Sequence, residues 1–159
     1  MTRSRSRRVK RNPRVATGLL LQATWKVKFY RWEYQGRQKP PRDWDAVLRA
    51  EPLDVLTLDG LRFLWGGGRP SERVPADHFG TLAMTEMELP AGRYEMSTVS
   101  DDGVRLSVDG NVVIDNWTWH PPHENRAEVT LGKGTHAIRI EHFEIDGVAQ
   151  LEFTMRPLP

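Results

Sequence analysis

The chain has 159 residues and no cysteine, so it can bury the core of one domain, and disulfides and thiolate metal sites are excluded. Its formal net charge of +2 averages two unlike regions. Seven of the 23 Lys and Arg residues (Arg3, Arg5, Arg7, Arg8, Lys10, Arg11 and Arg14) fall within residues 1–14, which hold no acid; the remainder sets 16 cations against 21 acids. Residues 1–14 therefore read as a disordered basic tail on a mildly acidic domain covering residues 15–159. This charge distribution gives no ground for specific nucleic-acid binding. No apolar run nears the ~18–20 residues that span a bilayer.

Residues 15–23 have the outline of a short export signal after a basic start, but Thr17 and Gly18 interrupt it. They fit better as the opening of a strand. Leu19, Leu21, Ala23, Trp25, Val27 and Phe29 alternate with Leu20, Gln22, Thr24, Lys26, Lys28 and Tyr30, a period of two. A polar loop with Pro40-Pro41 follows, and Asp43 can cap a short helix over residues 44–50 that Pro52 ends. Residues 58–65 read as one short strand stopped by Gly66-Gly67-Gly68. That triplet lacks the following Lys-Ser/Thr of a phosphate loop and reads as a surface turn.

From Asp77 onward the pattern is β throughout. Residues 79–89 form a candidate strand closed by Pro90-Ala91-Gly92. Tyr94, Met96 and Thr98 face one way in the next strand, and Val104, Leu106 and Val108 alternate with Arg105, Ser107 and Asp109. Asp109-Gly110-Asn111 is a hairpin turn into Val112-Val113-Ile114. Ala127, Val129 and Leu131, then Ile138 and Ile140, then Ala149, Leu151, Phe153 and Met155 mark three more strands. Short strands with turn signals roughly every 8–12 residues predict an all-β, antiparallel sandwich or barrel.

Between two of these strands lies Asp101-Asp102-Gly103. Two adjacent carboxylates at a loop tip suit calcium, a hard cation that takes many oxygen ligands. Asp-Gly is equally a common two-residue hairpin turn. On spacing alone the plain turn is the leading reading. The loop residues 115–123 carry Trp117, Trp119 and His120; Trp117 reads as packing the hairpin, whereas Trp119 is the better candidate to meet a ligand face. His120, His123 and Glu124 could suggest zinc, but Pro121-Pro122 precludes a helix to orient them and no third ligand is marked, so they read as loop residues. His136 and His142 fall in strands and are expected to be hydrogen-bonded and half buried. No Gly-x-Ser-x-Gly elbow and no thiol nucleophile is present, and adjacent carboxylates serve a metal more naturally than a glycosidase pair set ~5–9.5 Å apart. Catalysis is not expected of this chain.

Several segments together carry a family resemblance. They are Phe79-Gly80, Leu89-Pro90-Ala91-Gly92-Arg93-Tyr94, Ser100-Asp101-Asp102-Gly103-Val104-Arg105-Leu106, Val108-Asp109-Gly110, Ile114-Asp115-Asn116-Trp117 and His120. Leu131-Gly132-Lys133-Gly134-Thr135-His136, Ile138-Arg139-Ile140-Glu141-His142-Phe143 and Gly147-Val148-Ala149 complete the set. In that order the chain resembles the PA-14 domain, the β-sandwich first named in anthrax protective antigen and found in yeast flocculins, adhesins and β-glucosidase inserts. The resemblance implies a lectin-like module of the extracellular space or cell envelope, with glycans or polysaccharide as partners and a place in a larger surface or enzyme assembly. A structural or assembly module of the same fold, without a sugar ligand, is the alternative. In calcium-dependent members two consecutive aspartates joined by a cis peptide hold the metal, which implies Asp101 and Asp102 here. Where flocculins place an asparagine before the final strand, this chain has Phe143-Glu144-Ile145-Asp146-Gly147, so Glu144 or Asp146 is implied as the further ligand.

Overall fold

The computed structural model describes residues 20–159; the basic tail expected at residues 1–14, the expected domain start at residue 15 and Leu19 lie outside the described residues. The alternating segments form ten strands and one short helix. In chain order these are β1 (Thr24–Arg31), α1 (Trp44–Arg49), β2 (Asp54–Asp59), β3 (Arg62–Gly66), β4 (Phe79–Leu89) and β5 (Gly92–Asp101). They continue with β6 (Val104–Val108), β7 (Asn111–Asn116), β8 (His123–Leu131), β9 (Gly134–Glu144) and β10 (Ala149–Pro157). A six-stranded sheet runs β2-β1-β4-β9-β6-β7 and a four-stranded sheet runs β3-β10-β5-β8, all pairs antiparallel. The fold is the antiparallel sandwich that the periodicity predicts.

The period-two residues meet between the sheets. Trp25, Val27 and Phe29 of β1, Leu106 and Val108 of β6 and Ile138 and Ile140 of β9 face Tyr94 and Met96 of β5 and Leu151 and Met155 of β10; all are buried. Each such side chain contributes roughly 1.5–3 kcal/mol by leaving water. The outer face of the four-stranded sheet is charged, with Arg156–Glu95 at 2.9 Å, Arg126–Glu124 at 3.0 Å and Arg93–Glu128 at 2.7 Å. Such half-exposed pairs add little stability, and they mark that face as solvated.

One element differs from the sequence reading. The apolar run at residues 58–65 is not one strand but the end of β2 and the start of β3, which belong to opposite sheets. The break is at Gly60, whose φ of +89° favours glycine and whose N–H donates to the Ala23 carbonyl at 2.8 Å. The chain thereby crosses from one sheet to the other.

Helix α1 forms as expected: the Asp43 side chain caps it by accepting from the Ala46 N–H at 2.9 Å. Trp44 carries the helix onto the outer face of the six-stranded sheet, where it joins a second apolar cluster with Trp32, Phe143 and Ile145. The Trp44 indole N–H donates to Glu141, and the Arg105 guanidinium lies 4.7 Å from the Trp117 ring centre. Trp117 packs edge-on against Phe143 at 4.8 Å, the structural place the sequence pattern assigns it. This cluster backs the end of the sheet at which β9 finishes and β6 begins.

Candidate metal centre

Two strand ends build the site. Strand β5 ends at Asp101, and β6 starts at Val104 beside β9, with Val104 opposite His142. The intervening turn is tied to β9 by two backbone bonds, Asp102 N–H to Phe143 O at 3.2 Å and Phe143 N–H to Gly103 O at 3.1 Å. The Asp101–Asp102 peptide is cis, as the resemblance implies. Gly103 is required by close approach, because a Cβ there would run into the Phe143 ring.

Along β9 the residues alternate between core and outer face. Ile138, Ile140, His142 and Glu144 point inward, so the strand's last inward position is an acid. Glu144 is fully buried, Asp102 is 1% exposed and Asp101 8%, and one carboxylate oxygen from each lies within 4.8 Å of the others. Neither oxygen of Glu144 has a hydrogen-bond partner. Among the described residues this is the one group of three side chains placed to share a metal ion.

The surrounding hydrogen bonds orient the acids without neutralising them. Asp102 accepts from the Ile145 N–H at 2.8 Å through Oδ2 and from the His120 N–H at 3.3 Å through Oδ1. His142, fully buried, reaches the Asp101 carbonyl with Nε2 at 2.8 Å and the Thr81 hydroxyl with Nδ1 at 3.0 Å. A carbonyl can only accept, so Nε2 carries the hydrogen and Nδ1 accepts from Thr81. Burial pushes the His142 pKa down to about 4, which leaves a neutral imidazole that fixes the Asp101 main chain.

The acids are pushed the other way. Burial raises Asp101 to about 6, opposed by its hydrogen bond with Asp102, and raises Asp102 to about 6, opposed by the Ile145 amide. Burial, followed by the charges of Asp102, Asp101, Asp77 and Asp146, pushes Glu144 up to about 10. Every charge acting on Glu144 is negative. A buried acid with two unpartnered oxygens beside two more carboxylates is costly unless protonated or shared with a cation. The donors are all hard oxygens, which fits calcium and not the nitrogen and sulfur preference of zinc. Asp101, Asp102 and Glu144 would hold the ion, which would supply open coordination positions to further oxygen ligands.

The remaining candidates are placed as follows. Asp146 is exposed and stands outside the group of three, acting on it through its charge. Trp119 is 45% exposed, next in the chain to His120, whose amide binds Asp102. His120 and His123 have ring centres 5.9 Å apart and join no acid in a ligand cluster. Sequence reasoning missed Asp77, whose Oδ1 accepts from the Gly147 N–H at 3.2 Å beside the Glu144 loop. Its signal is long-range: β4 pairs with β9 so that Phe79, two residues on, lies opposite Glu144.

Comparison with known proteins gives the same frame. Residues 86 long in total match part of the anti-sigma-I factor RsgI3 of Acetivibrio thermocellus at 32% identity, covering 53% of this chain and 13% of that protein. This chain thus corresponds to a small part of that relative's length. Among solved structures, an anti-sigma factor domain-containing protein superposes with a TM-score of 0.70 at 22% identity, over 85% of this chain and 43% of that one. A PA14 sugar-binding domain from an RTX adhesin gives 0.65 at 20% identity, over 85% and 90% of the two chains. Residues 59–157, which hold β3 to β10 and the three clustered acids Asp101, Asp102 and Glu144, match the PA14 domain model, and the chain belongs to the PA14 domain family.

Proposed function

We propose that this chain is a calcium-dependent carbohydrate-binding module, without catalysis of its own, that works in an extracellular or cell-envelope setting. One observation carries the reading: Glu144 is fully buried with both oxygens unpartnered, facing the equally buried Asp101 and Asp102. Calcium takes six to eight oxygen ligands. Three carboxylates at a strand end leave positions that the vicinal hydroxyls of a glycan fill. Trp119, exposed on the adjoining loop, offers an apolar surface to the sugar ring. The sugar-binding domain of the RTX adhesin supports the same role at family level.

The second reading is a module of the same fold that serves a larger assembly and grips no sugar; the likeness to a small part of a much longer anti-sigma factor supports its assembly setting. One pair of measurements separates the two. Millimolar calcium should raise the melting temperature, chelator should reverse the rise, and retention on a glycan array should require calcium. Trp119→Ala should weaken retention and leave the calcium shift intact. Calcium stabilisation without any glycan retention supports the assembly module; no calcium response at all defeats the metal-dependent reading.

A further inference from the structure

The metal centre has two flanks. In the six-stranded sheet β9 lies between β4 and β6, so the loop after β7 that carries Trp119 flanks one side of the site. The other side belongs to the end of β1 and the approach to β4. There Tyr34 and His78 stack face to face, with ring centres 4.6 Å apart and planes within 7°. Buried Trp32 holds both edge-on, at 6.2 Å and 5.7 Å, while Tyr34 stays 37% exposed. The stack forms an aromatic ledge seated on Trp32.

Its attachment is to the site itself. His78 is not glycine yet has a φ of +58°, a conformation that persists only where neighbours enforce it. The enforcing bonds are His78 N–H to Ile145 O at 3.0 Å and Trp32 N–H to His78 O at 3.2 Å. Ile145 is the residue after Glu144, and its own N–H binds Asp102. Asp77, next to His78, accepts from Gly147 on the same loop. Tyr34, His78 and Asp77 line an open groove of about 630 Å³ together with Arg31, Glu33 and Pro75.

These chemistries match a pyranose. Its C–H face lies on an aromatic ring, and its hydroxyls donate to carboxylates and accept from a guanidinium. Two acids against one arginine disfavour an acidic sugar. We infer that the Tyr34–His78 ledge is a second sugar subsite, which takes the next ring of a neutral oligosaccharide whose first ring is held at Asp101, Asp102 and Glu144. The inference rests on the carbohydrate reading above and goes beyond it in naming the ligand class: an oligosaccharide, not a single sugar.

The test is calorimetric titration, in millimolar calcium, with methyl glycosides of glucose, galactose, mannose and fucose, and with disaccharides ending in each of them. Wild type should bind its best disaccharide roughly three- to tenfold tighter than its best monosaccharide. Tyr34→Ala should erase that gain while leaving monosaccharide affinity and the calcium-induced melting shift unchanged. His78→Gly, which accepts the positive φ and removes the ring, should do the same. As a check that needs no variant, the Tyr34 ring protons should shift in NMR spectra on adding disaccharide and not on adding monosaccharide. Monosaccharide binding with no preference for disaccharide, or a preference that survives in both variants, overturns the subsite and leaves the metal-centred reading standing. Failure of every sugar to bind overturns both.

Discussion

Glu144→Gln separates a carboxyl kept for a metal from one kept for the fold. In the metal-free protein Glu144 is fully buried, and its pKa of about 10 means that it is a neutral acid at pH 7. Glutamine has the same shape, is neutral, and brings an NH₂ group within reach of carboxylates that lie within 4.8 Å. In chelator the variant should therefore melt within ~1 kcal/mol of wild type, on either side. Calcium changes the comparison. A ligand at a hundredfold excess over its Kd stabilises the folded state by ~2.7 kcal/mol. For a chain of this length that is roughly 5–11 °C, at about 2–4 °C per kcal/mol. The variant keeps two of three carboxylates and should lose most of the rise. Differential scanning calorimetry with chelator and with calcium reads both quantities. An equal calcium shift in wild type and variant would refute the assignment of Glu144 as a ligand. A variant several kcal/mol less stable in chelator would show instead that the acid holds the fold.

The same raised pKa values set a pH dependence. The folded, metal-free chain keeps protons on Asp101 and Asp102 up to about 6 and on Glu144 up to about 10, whereas the unfolded chain loses them near 4. Melting temperature in chelator should therefore fall as pH rises from 5 to 9, and saturating calcium should flatten that slope; a rise with pH contradicts the reading. At the far end of the sandwich both His136 nitrogens face acceptors, Asp109 Oδ2 at 2.6 Å and the Gly132 carbonyl at 2.7 Å, so both carry hydrogen and the hydrogen bond to Asp109 raises the His136 pKa. Its contribution is full below the ordinary histidine pKa and lost as pH rises through the raised value, so His136→Ala should destabilise at pH 5.5 and matter less at pH 9, with or without calcium. In the core, Leu106→Ala should cost ~2–5 kcal/mol, while Ser107→Ala on the opposite face of β6 should change little in denaturant titration; the reverse order would place β6 one residue out of register.

The local part of this architecture was legible and the long-range part was not. The inward file Ile138, Ile140, His142, Glu144 could be read from alternation alone, but Asp146 shares its parity, and only the end of β9 at Glu144 separates the two acids. The capping of α1 by Asp43 was readable too, but not the packing of Trp44 on the outer sheet face, which depends on side chains nearly a hundred residues away. The break at Gly60 did carry a local signal, the turn dipeptide Asp59-Gly60 between Leu58 and Leu61, but periodicity does not tell which sheet a strand joins. Asp77, His78 and Tyr34 reach the site only through the pairing of β1 with β4 and of β4 with β9, a register no local pattern states.

The neutral His142 between Thr81 and the Asp101 carbonyl has a consequence for protein engineering. Grafting the three acids onto another sandwich would transplant the charges but not their aim. The Asp101 main chain is steered by an imidazole from β9, itself set by a hydroxyl from β4, and the Asp102 carboxylate by amides from Ile145 and His120. A transferable cassette would have to include at least Thr81, His142 and the glycine at 103, and the host scaffold would need β4, β9 and β6 as neighbours in that order. The smallest portable unit is therefore a three-strand segment of one sheet together with the end of β5 from the facing sheet, not a loop.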